Sequence, residues 1–535
     1  MTQTSITPQD TRRKWLALAV VVAAQFMVVL DIAIVNVALP SIQTDLNFAE
    51  ENLQWVISAY AILFGGALLL GGRLADIFGR RRLFMLGLGL FSGASLLCGL
   101  SWSESSLIGF RALQGLGGAL LAPATLSILM TTFAEGAERN RALGIWGAAS
   151  GSGGAAGVLL GGFLTSYLSW PWVFFINVPV GIAVIAAAPF VLSESRGQHG
   201  HRHFDVAGAA SVTSGVMMLV YAMTRATQDG WGSTPTLALL GGSAVLIAAF
   251  LAIERRSPAP LLPMQIFRLR SLSAANATAV MIGGIAFSQF FLQTLYMQDV
   301  LGYSAIRTGV GFATVTFTII VFSNVAQRLV TRLGVRTVLT AGLLLDSVSL
   351  GLFTQLPADG HYFWNLFPGM LVGGVGLALS FVPVTIAGLT GVHRADAGIA
   401  SGLIYTSRQV GGAVGLALSF VPVTIAGLAG VHRADAGIAS GLINTTRQVG
   451  GAVGLAAVTT IAASYASTGA GATGLARAAA VDGGLTHGFQ VGFAVLAGAA
   501  ALGAVIAAVM LRPRPEGAAV EPLMSPSTTR LEEAA

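Results

Sequence analysis

The sequence predicts an all-α integral membrane protein with fourteen spanning helices. Three observations lead there. Hydrophobic residues make up 54% of the 535-residue chain and charged ones only 10%, where soluble domains carry about 25% charge. The mean hydropathy is +0.76. Apolar runs of about 20 residues, the length that crosses a bilayer as a helix, recur along the chain.

In order, the predicted spans are 15–39, 54–72, 83–102, 106–133, 142–167, 172–192, 206–226, 234–253, 273–296, 308–327, 337–356, 362–390, 438–464 and 487–511. The first is too long for a signal-peptide core, contains Asp31 and leads directly into further spans, so it is expected to be retained. The connections alternate in charge. One set holds Arg12, Arg13 and Lys14, then Arg80, Arg81 and Arg82, then Arg139 and Arg141, then Arg196 and Arg202. It continues with Arg255, Arg256, Arg268 and Arg270, and with Arg328, Arg332 and Arg336. The other set is nearly free of basic residues; 43–53 has Asp45, Glu50 and Glu51 instead. Arginine accumulates on cytoplasmic loops, so the N-terminus is expected in the cytoplasm. Trp170 and Trp172 fall in a short outer connection, where an aromatic belt would sit.

Composition also excludes functions. The net charge of +6 comes from too few charges, too widely spread, to build a phosphate-binding face, so the expected partner is lipid and not nucleic acid. Lys14 is the single lysine, which rules out a Walker A loop and a Schiff-base enzyme. Cys98 is the single cysteine and cannot form an intrachain disulfide. No HExxH, GxSxG or CxxC pattern occurs, so neither an enzyme nor a cofactor is expected. His199, His201 and His203 could hold a metal, but a solvated basic loop is the favoured reading and no metal site is expected.

Two repeats stand out. Arg73-Leu74-x4-Gly79-x-Arg81 is echoed by Arg328-Leu329-x4-Gly334-x-Arg336, the kind of weak parallel repeat left by a transporter made of two halves. Residues 376–414 and 415–453 match at 36 of 39 positions, differing at Thr390/Ala429, Tyr405/Asn444 and Ser407/Thr446. This tandem duplication creates an apolar stretch at 398–430 that would be about 48 Å long as one helix, against about 30 Å of hydrocarbon. A broken or peripheral hairpin is favoured over a single crossing, because one extra crossing would invert everything after it.

Within the spans, a few residues carry chemistry. Asp31 lies about 24 Å from the cytoplasmic end of its helix, where a carboxylate costs at least about 2.5 kcal/mol and usually marks a pathway or a proton site. Arg111 lies at a similar depth and could pair with it, or could snorkel to the outer interface. A buried aspartate satisfied by neighbouring helices is the alternative for Asp31. Gly153, Gly157 and Gly161 form a smooth helical stripe, with Gly162 beside it, suited to close helix contact. Asp346, near a midplane, is a second protonatable candidate or a structural polar residue.

These residues resemble a family. LDIAIVNVALPSI (30–42), GGRLADIFGRRR (71–82), RALQGLGGALLAPA (111–124), GGAAGVLLGG (153–162), FINVPVG (175–181) and RQVGGAVGLA near the end are similar to motifs of the major facilitator superfamily, and within it of the fourteen-helix bacterial drug:proton antiporters. Val158 stands where the helix-5 motif usually has proline, Pro171 replaces an arginine between the tryptophans, and the duplication has no family counterpart. The resemblance implies the major facilitator fold: a cytoplasmic tail 1–14, six-helix bundles at 15–192 and 273–512, two additional central helices within 193–272, and a disordered cytoplasmic tail 513–535. It implies alternating-access export of hydrophobic or cationic drugs and antibiotics from the plasma membrane, by a monomer exchanging them for protons. Asp31 would carry the proton, with Arg111, Gln114 and Gly115 on the pathway. Gly72, Asp76, Gly79, Arg80 and Arg81 would form a conformational lock. Export of one specific metabolite, or a non-transporting sensor, are the alternatives.

Overall fold

The computed structural model describes residues 8–48, 52–53, 55–196, 205–229, 232–257, 262, 267–429 and 475–511. Every regular element among them is helical: α1 (Pro8–Asp45), α2 (Trp55–Phe78), α3 (Arg80–Gly99), α4 (Glu104–Thr132), α5 (Ala137–Tyr167), a single turn α6 (Trp172–Phe175) running into α7 (Asn177–Val191), α8 (Val206–Asp229), α9 (Thr234–Glu254), α10 (Arg270–Leu295), α11 (Ala305–Leu333), α12 (Val335–Phe353), α13 (Phe367–Leu389), α14 (Ala397–Ala429) and α15 (Leu475–Met510). Among the described residues, twelve helices are long and apolar enough to cross a membrane. α8, whose apolar part is the shorter run Val206–Ala222, and α14 are not among the twelve. With so little polar side chain to compete, intrahelical hydrogen bonding is the one way such segments satisfy their backbone in lipid.

The faint repeat becomes visible as geometry. α2 passes to α3 through Gly79 and α11 passes to α12 through Gly334, each a lone residue between two helices. Their φ values of 108° and 80° lie where a side chain is strained, so glycine is what permits both tight turns.

Packing follows small residues. α5 lies along α1 through Gly153, Gly157 and Gly161, which face Val29, Leu30 and Ile34. Gly162, beside that stripe, faces Ile306 of α11. α8 and α9 pack on each other, Ser243 of α9 donating to the Gly215 carbonyl of α8 at 2.8 Å. Met217 of α8 covers Gly66 of α2.

The duplicated region corrects the expectation of a broken hairpin. Residues 397–429 form one continuous helix, while the predicted span 438–464 lies outside the described residues. α14 runs parallel to α10, with Ser407 on Asn276, Gly411 on Val280 and Gly415 on Gly284. α15 runs antiparallel to α12: Gln490 reaches the Leu356 carbonyl, Ser347 the Ala497 carbonyl, and Gly503 faces Leu343. α14 thus runs in the direction of α10 and α15 in the direction opposite to α12, while residues 430–474 between them lie outside the described ones. Arg408 of α14 donates to the Phe381 carbonyl at 3.3 Å and to Thr385 Oγ1, both on α13.

Candidate functional site

A helix that carries an acid into an apolar bundle must find it partners, and Asp31 of α1 has three. Its Oδ2 accepts from Arg111 Nη1 of α4 at 2.7 Å. Its Oδ1 accepts from Gln114 Nε2 at 2.8 Å and from Asn177 Nδ2 of α7 at 2.9 Å. Gln114 and Asn177 also reach Ser95 Oγ of α3, at 3.1 and 3.0 Å, and Ser95 donates to the Phe174 carbonyl at 2.9 Å. Asp31, Ser95, Arg111, Gln114 and Asn177 are all buried. Arg111 does not snorkel. Its Nε donates to the Val56 carbonyl at 2.9 Å, its Nη1 also to Gln114 Oε1 at 2.7 Å, and its guanidinium lies 4.4 Å from the centre of the Tyr60 ring. Charge-assisted bonds of this kind are about twice as strong as neutral ones.

Local sequence makes the placement. Ser103 caps α4 reciprocally with Ser106 and fixes its start. Arg111 and Gln114 stand three residues apart, hence on one helix face. Gly115 lies against the Tyr60 backbone, letting α2 and α4 close around the arginine. The α5 glycines Gly157 and Gly161 sit on the carbonyls of Leu30 and Ile34, so α5 flanks Asp31 with backbone.

The second cluster sits at the basic-loop end. Asp76, in the last turn of α2, accepts from the Gly398 and Ile399 backbone N–H groups, both at 3.1 Å. It thereby caps the N-terminus of α14, where unsatisfied N–H groups and the helix dipole favour an anion. Arg80 pairs with Asp76 at 2.6 Å and donates onward to the Arg394 carbonyl at 2.5 Å. Gly72 packs on Gly398 and Gly402. Gly79 and Arg81 belong to the same corner but face another partner: Arg81 N donates to Glu194 Oε1 at 3.2 Å, and its side chain lies 3.8 Å from Glu194 Oε2.

Asp346 is buried on α12 and accepts a bond from Ser380 Oγ at 3.0 Å; its other oxygen has no partner among the described residues. It is far from the Asp31 cluster in the chain and sits against Gly376 of α13. Trp170 is buried and donates to Asp45 Oδ2 at 2.7 Å, so of the two tryptophans only Trp172 is exposed as a belt residue would be. An apolar groove of about 480 Å³ lies between α1 and α5, lined by Trp15, Leu18, Val22, Phe26, Ile145 and Ala149. No cluster of metal-ligating side chains occurs among the described residues; His199, His201 and His203 lie outside them.

Sequence reading missed Ser95, Asn177 and Tyr60. Asn177 had a usable signal, an amide inside an apolar span; Ser95 had none, since serine is ordinary in membrane helices.

Bundled apolar helices, repeated glycine corners and a buried acid held by arginine define a membrane transporter of two related halves. The chain belongs to the Major Facilitator Superfamily, whose model matches residues 21–416. It is 39% identical to the puromycin resistance protein pur8 of Streptomyces alboniger, covering 75% of this chain and 80% of that one. It is also 39% identical to the cephamycin export protein CmcT of Amycolatopsis lactamdurans, covering 74% and 82%. Among solved structures it resembles the human organic anion transporter MFSD10, with a TM-score of 0.59, 14% identity and coverage of 94% and 100%. It also resembles the proton:xylose symporter XylE, with a TM-score of 0.53, 14% identity and coverage of 82% and 95%. At that identity these two speak for the fold alone.

Proposed function

We propose that the chain is a proton-coupled antiporter that exports hydrophobic, drug-like small molecules across the bacterial plasma membrane. The observation that carries this reading is the fully buried Asp31–Arg111 pair. A carboxylate bonded to an arginine, two amides and no water-facing group can change its proton only if the helices around it part. Protonation removes its charge and weakens the bond to Arg111, so proton uptake and helix movement are linked. Asp346, with one satisfied oxygen in an apolar setting, is the second candidate for proton exchange. The names of the relatives, which specify antibiotic resistance or export, support the substrate class.

In this reading the arginine-rich loops and the N-terminus are cytoplasmic, 15–192 and 273–512 are the two moving bundles, and α8 and α9 lie between them. The Asp76–α14 cap locks the cytoplasmic end shut. The protein acts as a monomer, without a cofactor and without catalysis. Export of one dedicated antibiotic is a second reading, favoured by relatives named for single compounds. Expression in an efflux-deficient bacterium challenged with a drug panel that includes puromycin tests both. Resistance to several unrelated drugs supports the broad exporter and resistance to one supports the dedicated exporter. Equal resistance with Asp31→Asn would sink proton coupling at Asp31.

A further inference from the structure

Arg408 is the charge the antiport scheme leaves unused. It is 7% exposed, and among the described residues no ion pair includes it. Its Nη2 donates to the Phe381 carbonyl and to Thr385 Oγ1, both on α13 and both neutral. Its Nε–H is buried and has no acceptor among the described residues. Its guanidinium lies 5.0 Å from the centre of the Phe381 ring. A buried arginine with neutral partners and a free donor lacks an anion.

Its surroundings show where the anion would come from. One turn earlier on α14, Tyr405 donates its hydroxyl to Gln25 Oε1 of α1 at 2.7 Å and stands edge-on to Trp146 of α5, with ring centres 5.9 Å apart. Gln25 and Trp146 belong to the first half of the molecule, Arg408 and Phe381 to the second. This is therefore a junction that opens when the halves separate. The chain neighbours of Gln25 and Trp146, Phe26 and Ile145, line the apolar groove between α1 and α5. Aromatic faces, an apolar wall and one unpaired guanidinium with a free donor describe a receptor for an apolar molecule bearing an acidic group.

We propose that Arg408 binds the carboxylate, or an equivalent acidic oxygen, of an amphiphilic substrate, with Phe381, Tyr405 and Trp146 against its apolar body. The inference rests on the export reading and narrows it: the preferred substrate carries an acidic group, not the cationic one that the family resemblance implies. A fixed positive charge in the path disfavours cations by the same electrostatics that favour anions.

The test is equilibrium binding of a matched pair, 1-naphthoate and 1-naphthamide, to the purified full chain in lipid nanodiscs. The native chain is expected to bind the acid at least about tenfold more tightly than the amide, with Arg408→Gln losing that preference. Arg408→Lys, which keeps charge but not the guanidinium fork, should retain part of it. Equal affinity for acid and amide, no binding of the acid, or a preference that survives Arg408→Gln each overturns the proposal. If Arg408→Gln does not fold, Arg408→Lys decides, since an undiminished preference there overturns it equally. Binding needs no gradient, so the two readings fail separately. Acid-selective binding without Asp31-dependent resistance keeps the site and removes the antiport, and the reverse result removes the site alone.

Discussion

Arg111 and Asp31 meet at 2.7 Å from helices 80 positions apart, and each is almost completely buried. Removing one partner leaves the other charged and unpaired in an apolar bundle. Asp31→Ala should therefore cost about 3–5 kcal/mol of stability, while Asp31→Ala with Arg111→Leu should cost less than the sum of the single changes. Denaturant unfolding of the purified variants measures this; simple additivity would show that the pair is not coupled.

Asn177 and Ser95 orient Asp31 without bearing charge. Asn177→Val should leave Asp31 with one fewer donor and lower proton-driven export about tenfold, since a hydrogen bond to a charged group contributes about 1.5–3 kcal/mol. Expression and folding should be retained. Drug efflux from loaded cells at a fixed pH gradient reads the change, and undiminished efflux would remove Asn177 from the coupling.

Gly157 and Gly154 offer a contrast on one helix. A Cβ at Gly157 would run into the Leu30 carbonyl and Ala33 beside Asp31, whereas one at Gly154 meets nothing within 4 Å. Gly157→Val should displace α1 and abolish export, and Gly154→Ala should leave it intact. Resistance assays of the two variants, with membrane protein levels matched, distinguish a specific contact from general intolerance.

The Asp76 cap predicts a change in access. Asp76→Ala removes a helix cap worth about 1–2 kcal/mol, so the closed state should lose roughly a factor of ten in population. A cysteine at the buried Ser401, in a Cys98→Ser background, should then react about tenfold faster with an impermeant maleimide applied to inside-out vesicles. An unchanged rate would detach the cap from the lock.

The duplication yields a deletion test. Every partner described for α14 is made by residues 397–415, in or at the edge of the first copy. Deleting 415–453 should therefore leave resistance at the level of the full chain. A dead deletion variant would show that the second copy is structural.

How much of this was legible depends on the kind of signal. Asp31 and Arg111 stand out because a charge in an apolar run is expensive, and the lock motif stands out by its run of arginines. The helix count was legible for the same reason of solvent, except where two nearly identical copies present the same apolar pattern twice. Sequence alone does not show that 397–429 is one helix, since its contacts with α2 and α10 come from the fold; the predicted span 438–464 lies outside the described residues. Ser95 and Asn177 matter only because α3 and α7 bring them to α1, and a periodic apolar pattern does not say which helices adjoin. The partner of Gly162, Ile306 on α11, was not legible for the same reason.

The lock has a consequence for how the molecule is made. Asp76 finds its backbone partners 322 and 323 residues further along the chain. Synthesis proceeds from the N-terminus, so this acid enters the bilayer long before its cap site exists. Arg80, four residues on and in contact at 2.6 Å, is already there to hold it. The arginine is thus in place to pair a stranded carboxylate first, and only later meets the α14 end that Asp76 caps. A nascent chain lacking Arg80 would carry its defect through most of its own translation.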